Sequence, residues 1–273
     1  MTSSAIPSVL NEIIAYKKEV VLNLYNSYGI SYFKENIEKN NTSTYNSVSF
    51  FDALSSDGLN LIAEIKQASP SKGIINAQFE PLSLAATYVS CGAKALSVLT
   101  DEKYFKGSND ILTAVKQSVA VPVLRKDFLV DPIQIYEAKS IGADAVLLIL
   151  DILSVKQCQE FIDLAALLSL DVLLEIHDRS CIDKLFDLTN VHIIGINNRN
   201  LHDFSLDLEH SKDCYRQLKS SFSDSLFVAE SGYFASDQCH EIAELGFNGV
   251  LIGEGLVTST SLQHYFGDHS HED

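Results

Sequence analysis

The stretches Ala143-Asp-Ala-Val-Leu-Leu-Ile-Leu150 and Asp171-Val-Leu-Leu-Glu-Ile176 are short, apolar and rich in branched side chains. Between them, Ser154–Leu168 carries apolar side chains at helical spacing. A strand, a helix and a second strand in this order form the unit that joins two neighbouring parallel strands. This segment therefore predicts a parallel sheet with helices packed outside it.

The same alternation continues through most of the chain. Eight runs are typical of strands: Leu59–Lys66, Ala95–Thr100, Val121–Lys126, Ala143–Leu150, Asp171–Ile176, His192–Asn197, Ser225–Glu230 and Gly249–Gly253. The stretches between and after them are typical of helices: Leu82–Cys91, Ile111–Val119, Pro132–Ile141, Ser154–Leu168, Cys181–Leu188, Leu208–Lys219, Ser236–Leu245 and a short one near Leu262. Eight such units in about 200 residues predict an α/β protein with a single closed (β/α)8 TIM barrel. An open dinucleotide-binding sheet is disfavoured, because no G-x-G-x-x-G pattern follows the first strand run.

The barrel is expected to span residues 59–266, with an N-terminal helical extension at 1–58 that caps it and a polar C-terminal tail at 267–273. Within the extension, Pro7–Tyr28 predicts one amphipathic helix. Asn36–Ser47 is rich in Asn, Ser and Thr and predicts a flexible connector. A second short helix is expected to begin at Phe50.

Composition excludes several classes of function. The 273-residue chain has 20 basic and 36 acidic side chains, a formal charge of −16, which disfavours nucleic-acid binding. The longest apolar run is far shorter than the ~20 residues that cross a bilayer, so no membrane partner is expected. The five cysteines are scattered and form no C-x-x-C pair, which argues against a metal site or a disulfide framework. With no secretory signal visible, the expected location is cytoplasmic.

Polar side chains occupy the carboxyl ends of the predicted strands, where barrels of this kind place their active sites. They include Glu64 and Lys66 on the first strand, Arg125–Asp127 on the third, Glu175 on the fifth and Asn197–Arg199 on the sixth. Glu64 and Lys66 are two residues apart and therefore share one face of the strand, which we expect to face the barrel interior. Because the polar strand ends are expected to meet at the same end of the barrel, they predict a catalytic site there.

Structural roles remain open for each of these residues taken singly. A charged residue at a strand end is often a solvated loop residue, and Glu64 with Lys66 is also compatible with a structural ion pair. Asp101, Asp127 and Asp178 have the character of helix caps. His177 is as compatible with a loop residue as with a base.

Small residues follow the last two strands, as Ser231-Gly232 and Gly253-Glu254-Gly255. Loops at these two places in a barrel often bind phosphate through backbone amides. Each sequence alone is equally compatible with a tight turn. Their presence in both units favours a phosphate site.

Several motifs, in order, resemble those of the indole-3-glycerol-phosphate synthase family. They are Leu61-Ile-Ala-Glu-Ile-Lys66, Ala68-Ser-Pro-Ser-Lys-Gly73, Ser97-Val-Leu-Thr-Asp101, Tyr104-Phe-Lys-Gly-Ser108, Pro122-Val-Leu-Arg-Lys-Asp-Phe128, Gly142-Ala-Asp-Ala-Val-Leu-Leu148, Gly195-Ile-Asn-Asn-Arg-Asn-Leu201, Glu230-Ser-Gly232 and Val250-Leu-Ile-Gly-Glu254. The resemblance runs from about residue 9 to about residue 256. It departs from the family at Gly255, where a serine is frequent.

The resemblance implies the ring closure of 1-(2-carboxyphenylamino)-1-deoxy-D-ribulose 5-phosphate to indole glycerol phosphate, with loss of carbon dioxide and water, in tryptophan biosynthesis. It implies a carboxy-lyase with no metal or organic cofactor, and a phosphorylated small molecule as its substrate. A monomer or weak homodimer is expected.

The resemblance also implies residue roles. Lys126 is the general acid, Glu64 positions it or acts on the aminoketose part, Lys66 holds an anionic group and shares in proton transfer, and Glu175 is the second acid–base group. Asn197 and Arg199 orient the anthranilate part of the substrate, and Glu230 contacts the substrate. The apolar wall for the aryl ring consists of Phe105, Phe128 and Leu148. Phosphate contacts are implied for Ser69, Ser231, Gly232, Gly253 and the backbone amide of Glu254.

Two other functions are compatible with a barrel. A phosphoribosylanthranilate isomerase would need a cysteine and an aspartate as an acid–base pair at strand ends, and none of the five cysteines lies at one. A non-catalytic barrel that binds a phosphometabolite would not need both Lys126 and Glu175.

Overall fold

The computed structural model describes residues 8–40, 49–70, 72–75, 78–200 and 205–267. Eight parallel strands close into a barrel, each paired with the next along the chain and the last with the first. In chain order they are β1 (Asn60–Ile65), β4 (Ala95–Leu99), β5 (Val123–Lys126), β6 (Ala145–Ile149), β7 (Asp171–Ile176), β8 (Ile193–Asn197), β9 (Leu226–Glu230) and β10 (Gly249–Ile252). The short strands β2 (Ala68–Ser69) and β3 (Gly73–Ile74) pair antiparallel above β1. The predicted (β/α)8 TIM barrel is confirmed.

Helices connect the strands and flank the barrel. They are α1 (Ser8–Ser27), α2 (Gly29–Asn40), α3 (Phe50–Leu54), α4 (Pro81–Ser90), α5 (Glu102–Phe105), α6 (Asn109–Ser118), α7 (Pro132–Ser140), α8 (Val155–Leu167), α9 (Ile182–Leu185), α10 (Leu208–Leu218), α11 (Ser236–Leu245), α12 (Glu254–Thr258) and α13 (Thr260–Gly267). Within the described residues, every helix is too short or too polar to cross a bilayer.

Alternation along each strand divides the core into two layers. On β1, Ala63 and Ile65 pack outward against the helices, whereas Ile62 packs into the barrel interior. The interior is filled by branched and small side chains from different strands, as is usual for this fold. This parity places Glu64 inside the barrel, as the sequence predicts.

The N-terminal extension contacts both ends of the barrel. At the amino end, α3 buries Phe50 and Leu54 against interior residues. The amide of Asn60 holds this helix in place by donating to the carbonyl oxygens of Leu54 (3.1 Å) and Asn248 (2.9 Å). At the carboxyl end, α1 lies over the mouth, where Leu10 and Ile13 are buried.

The largest difference from the sequence prediction is α2. The predicted connector Asn36–Ser47 begins inside this helix, so its first part is helical up to Asn40. The helix forms because Ile30 and Phe33 pack against α7, where Ile133 is fully buried. Residues 41–47 of the predicted connector, 1–7 of the extension and 268–273 of the tail lie outside the described residues.

Candidate active site

A pocket lies at the carboxyl ends of the barrel strands, under α1. Fourteen of the fifteen residues predicted for the site line it: Glu64, Lys66, Ser69, Phe105, Lys126, Phe128, Glu175, Asn197, Arg199, Glu230, Ser231, Gly232, Gly253 and Glu254. These residues come from seven of the eight strand units of the barrel, which is why they are scattered in the sequence. The structure brings them together as the convergence of polar strand ends predicts.

Lys126, the last residue of β5, lies between two buried carboxyl groups. Its Nζ is 2.8 Å from Oε2 of Glu175, at the end of β7, and 3.2 Å from Oε2 of Glu230, at the end of β9. Both carboxyl groups are almost fully buried. Three ionisable groups in one buried cluster are costly unless their charges are paired or used.

Burial alone would lower the pKa of Lys126, but the carboxylates of Glu175 and Glu230 outweigh it and hold that pKa above its ordinary value. Lys126 is therefore an ammonium ion at neutral pH. The two carboxyl groups differ from each other. Burial would raise the pKa of Glu175, yet the charge of Lys126 and then that of His177 bring it well below the ordinary value. Burial and the charge of Glu175 raise the pKa of Glu230.

A second ion pair lies in the same pocket. Lys66 donates a hydrogen bond to Oε1 of Glu64, whose side chain is 5% exposed. The charge of Glu64 also adds to the field on Lys126. These two ion-paired clusters together hold two lysines and three carboxyl groups, enough to give and accept several protons.

His177 belongs to the site although the sequence leaves it open between a loop residue and a base. It lines the pocket, and its Nε2 lies 3.0 Å from Oε1 of Glu175. Its Nδ1 lies 3.4 Å from Oδ2 of Asp151, in the loop after β6. The only sequence signal was its position two residues after Glu175, on the same face of an extended chain.

The apolar wall of the pocket differs from the prediction at one position. Phe105 and Phe128 lie on one side, with ring centroids 6.1 Å apart. Leu148 does not reach the pocket, because it is fully buried in the outer layer between β6 and the helices. Its neighbours Leu147 and Ile149 face the interior and line the pocket instead. The prediction of Leu148 was wrong, because successive strand residues point to opposite faces and Leu148 points outward.

The predicted phosphate loops lie together at one edge of the pocket. Ser231 and Gly232 both have left-handed backbones, with φ of 66° and 90°. Such a conformation is uncommon for serine and marks a constrained turn. Gly253 precedes α12, and the side chain of Glu254 pairs with Lys72. A Cβ at Gly255 would lie 2.2 Å from the carbonyl oxygen of Tyr233, so the backbone here has no room for a side chain at this position.

Two of the three aspartates interpreted as caps have contacts of that kind, and Asp127 does not. Asp101 accepts from the backbone of Tyr104 and so caps α5, and Asp178 caps the turn Arg179–Cys181. Asp127 instead accepts from the side chains of Thr100 (2.8 Å) and Lys17 (2.6 Å).

Among the described residues that line the pocket, none is a cysteine, which removes the basis for the isomerase alternative.

A closed (β/α)8 barrel with a buried lysine–carboxylate cluster under an apolar wall defines an acid–base enzyme. A sequence profile described as indole-3-glycerol phosphate synthase matches residues 10–266. The chain belongs to the indole-3-glycerol phosphate synthase family.

Relatives with that name are similar over most of their length. One from Priestia megaterium is 41% identical over 266 residues, covering 95% of this chain and 98% of its own. One from Chlorobium chlorochromatii is 47% identical over 207 residues, covering 76% and 79%. One from Acetivibrio thermocellus is 37% identical over 255 residues, covering 93% and 96%.

Proposed function

We propose that the pocket performs the decarboxylating ring closure of 1-(2-carboxyphenylamino)-1-deoxy-D-ribulose 5-phosphate, with Lys126 as general acid and Glu175 as the second acid–base group. As a member of its family, the chain is a carboxy-lyase of tryptophan biosynthesis that forms indole-3-glycerol phosphate. The observation that carries the role assignment is the position of Lys126, an ammonium ion held between Glu175 and Glu230.

The first step joins the aryl carbon that carries the carboxylate to the ketone carbon of the ribulose part. Negative charge develops on the ketone oxygen as this bond forms, and Lys126 donates a proton to it. The raised pKa of Lys126 ensures that the side chain enters the cycle protonated. The charge of Glu64 helps to keep Lys126 protonated, and Lys66 holds an anionic group of the substrate.

Loss of carbon dioxide then restores the aromatic ring. Before that loss, Arg199 pairs with the substrate carboxylate, and Asn197 orients the anthranilate part. The side chain of Asn197 accepts from the backbone of Arg199 at 3.0 Å, which fixes the two residues relative to each other. Phe105 and Phe128 pack on the aryl ring, and Leu147 takes the place predicted for Leu148.

The last step expels water. The new hydroxyl group needs a proton in order to leave, and the carbon next to the nitrogen must lose one to give the indole. Glu175 takes that proton, and Lys66 and Glu230 lie within the same pocket to complete the transfers. The overall change releases one carbon dioxide and one water without net oxidation, so we propose no metal or organic cofactor.

The phosphate lies at the opposite edge of the pocket from the aryl wall. We assign it to Ser69, Ser231, Gly232, Gly253 and the amide of Glu254. Backbone amides in such turns bind an anion without requiring a cationic surface. This accounts for a doubly anionic substrate on a chain of charge −16.

We also propose that the chain acts in the cytoplasm as a monomer or weak homodimer, without a nucleic-acid or membrane partner. The support is the acidic composition and the completeness of the pocket within one chain. Light scattering across a range of concentrations measures the assembly state directly.

An assay of the purified chain tests the function. With the carboxyphenylamino-deoxyribulose phosphate as substrate, we expect indole fluorescence to appear together with one equivalent of carbon dioxide. The rate should not change after dialysis against a chelator. Folded protein that yields neither signal would overturn the proposal.

A further inference from the structure

His177 links the catalytic cluster to a carboxylate outside it. The imidazole is buried, with Nε2 3.0 Å from Oε1 of Glu175 and Nδ1 3.4 Å from Oδ2 of Asp151. The same Oδ2 of Asp151 accepts the backbone N–H of His177 at 3.1 Å, which fixes the ring orientation. The line of contacts runs from Asp151 through His177 and Glu175 to Lys126.

Both ring nitrogens of His177 face carboxylates, which defines the ring's protonation state. A neutral imidazole has one N–H and can donate to one of the two, whereas an imidazolium donates to both. Burial would lower the pKa of His177, but the charge of Glu175 and the contacts with Asp151 raise it to about 9. The ring is therefore a cation at neutral pH.

The cation acts on one member of the carboxyl pair. Glu175 contacts two cations, because His177 lies at Oε1 and Lys126 at Oε2. Glu230 contacts Lys126 through Oε2 at the longer distance of 3.2 Å. Within the described residues, the buried Oε1 of Glu230 has no hydrogen-bond partner.

We propose that His177 is a positioning residue that distinguishes the two carboxyl groups around Lys126, keeping Glu175 ionised as the proton acceptor and leaving the proton on Glu230. The inference rests on the proposed role of Glu175 and explains why two similar carboxyl groups act differently. In the dehydration step, Glu230 gives its proton to the hydroxyl group, which leaves as water. Glu175 takes the proton from the ring carbon, and transfer from Glu175 to Glu230 restores the starting state.

Other charged groups around His177 bear on its titration. Asp178 and Arg179 follow it in the chain, and His210 faces it from α10. Cys181 contacts Asp151 on its far side. None of these groups lies in the line from Asp151 to Lys126, so substitutions within that line test the inference.

The first test is His177→Gln, which removes the charge but keeps a polar side chain that can donate hydrogen bonds. We expect kcat to fall about 10- to 100-fold, less than the ~10²–10⁴-fold loss expected on removing an acid–base group itself. Without the cation the pKa of Glu175 rises, so the acidic limb of the kcat profile should move up by about one pH unit or more. KM should change little. His192→Gln, at an exposed position at the other end of the barrel, is the matched control and should leave both unchanged.

Asp151→Asn is the second variant and does not alter the pocket lining. It lowers the pKa of His177, so the alkaline limb of kcat should move to lower pH. If His177→Gln fails to fold, the shift of the alkaline limb in Asp151→Asn still tests the positioning role of His177. An unchanged alkaline limb in folded Asp151→Asn would overturn the inference.

A double-mutant cycle with Glu175→Gln separates the inference from the proposed function. If His177 acts through Glu175, adding His177→Gln to Glu175→Gln should cost less than twofold in kcat, because there is no carboxylate left to position. Full additivity would overturn the positioning role while leaving the role of Glu175 intact. Unchanged kcat in Glu175→Gln alone would instead contradict the proposed catalytic assignment.

Discussion

At the scale of single residues, two glycines provide the space in which the site's carboxyl groups lie. A Cβ on Gly195 of β8 would be 2.2 Å from Oε1 of Glu230. A Cβ on Gly253 would be 2.7 Å from Oε1 of Glu64. Neither position requires a left-handed backbone, so these glycines are needed for close approach.

Gly195→Ala should therefore impair catalysis. The added methyl group displaces Glu230 and lengthens its 3.2 Å contact with Lys126. We expect kcat to fall by about 10²-fold, the cost of a misplacement of roughly 1 Å. Steady-state kinetics measure this, with circular dichroism to confirm folding.

Gly267→Ala is the matched control, since within the described residues, its own helix and chain neighbours aside, the nearest atoms to its new Cβ are those of Cys91, at 3.9 Å and beyond. It should retain wild-type kcat. A Gly195→Ala enzyme that folds and turns over at the wild-type rate would show that the position of Glu230 does not matter.

Strand parity explains which site residues the sequence can predict. The two-residue spacing of Glu64 and Lys66 is visible in the sequence, and both line the pocket. Leu148 is misplaced because Leu147, Leu148 and Ile149 are all apolar, so the sequence does not indicate which of them face inward. His177 depends on Asp151, a partner 26 positions earlier in another loop, which no local pattern reveals.

At the scale of elements, one buried lysine attaches the N-terminal extension to the active site. Lys17 of α1 contacts Asp101 (2.9 Å) and Asp127 (2.6 Å), and all three side chains are buried. Asp127 follows Lys126 directly in the chain. The same helix places Leu10 and Ile13 over the pocket, so Lys17 holds the cover in position.

Lys17→Met should loosen this cover and destabilise the fold. It leaves two buried carboxylates without their shared cation, a change that costs about 3–5 kcal/mol for buried pairs. We expect KM to rise as α1 moves away from the pocket. Urea unfolding and substrate kinetics give the two quantities.

Lys18→Met removes an exposed lysine from the same helix and should change neither the stability nor KM by much.

The pH dependence of the stability gives a further check. Burial would raise the pKa of Asp127, but Lys17 and then Arg125 hold it below its ordinary 3.8. The associated stability is present above pH 3.8, is lost as pH falls through the lowered pKa, and should be reduced in Lys17→Met. If Lys17→Met and Lys18→Met are equally stable, α1 is not held by this ion pair.

The sequence does not predict the elements that are stabilised by contacts with segments far away in the chain. The eight strands and their connecting helices follow from local periodicity. The helix α2 carries only a few apolar residues, and its packing partner α7 begins at Pro132, about a hundred positions away. The short elements α5 and α12 are single turns held by caps and loops, too brief to show a period.

At the scale of the whole molecule, the extension and the barrel form one enclosure around the reaction. The helix α3 closes the amino end of the barrel, and α1 covers the carboxyl end. The overall charge of −16 does not exclude an anionic substrate, because Lys66, Lys126 and Arg199 line the pocket beside its carboxyl groups. Excluding water strengthens each of these charges toward an anionic substrate.

Turnover by Lys126→Met tests most directly whether Lys126 gives the proton that permits ring closure. The methionine keeps much of the side-chain volume and removes the proton. We predict a loss in kcat of about 10²–10⁴-fold with substrate binding by calorimetry largely retained, while Lys94→Met, at an exposed position, matches the wild type. A folded Lys126→Met enzyme that keeps most of its kcat would contradict the account.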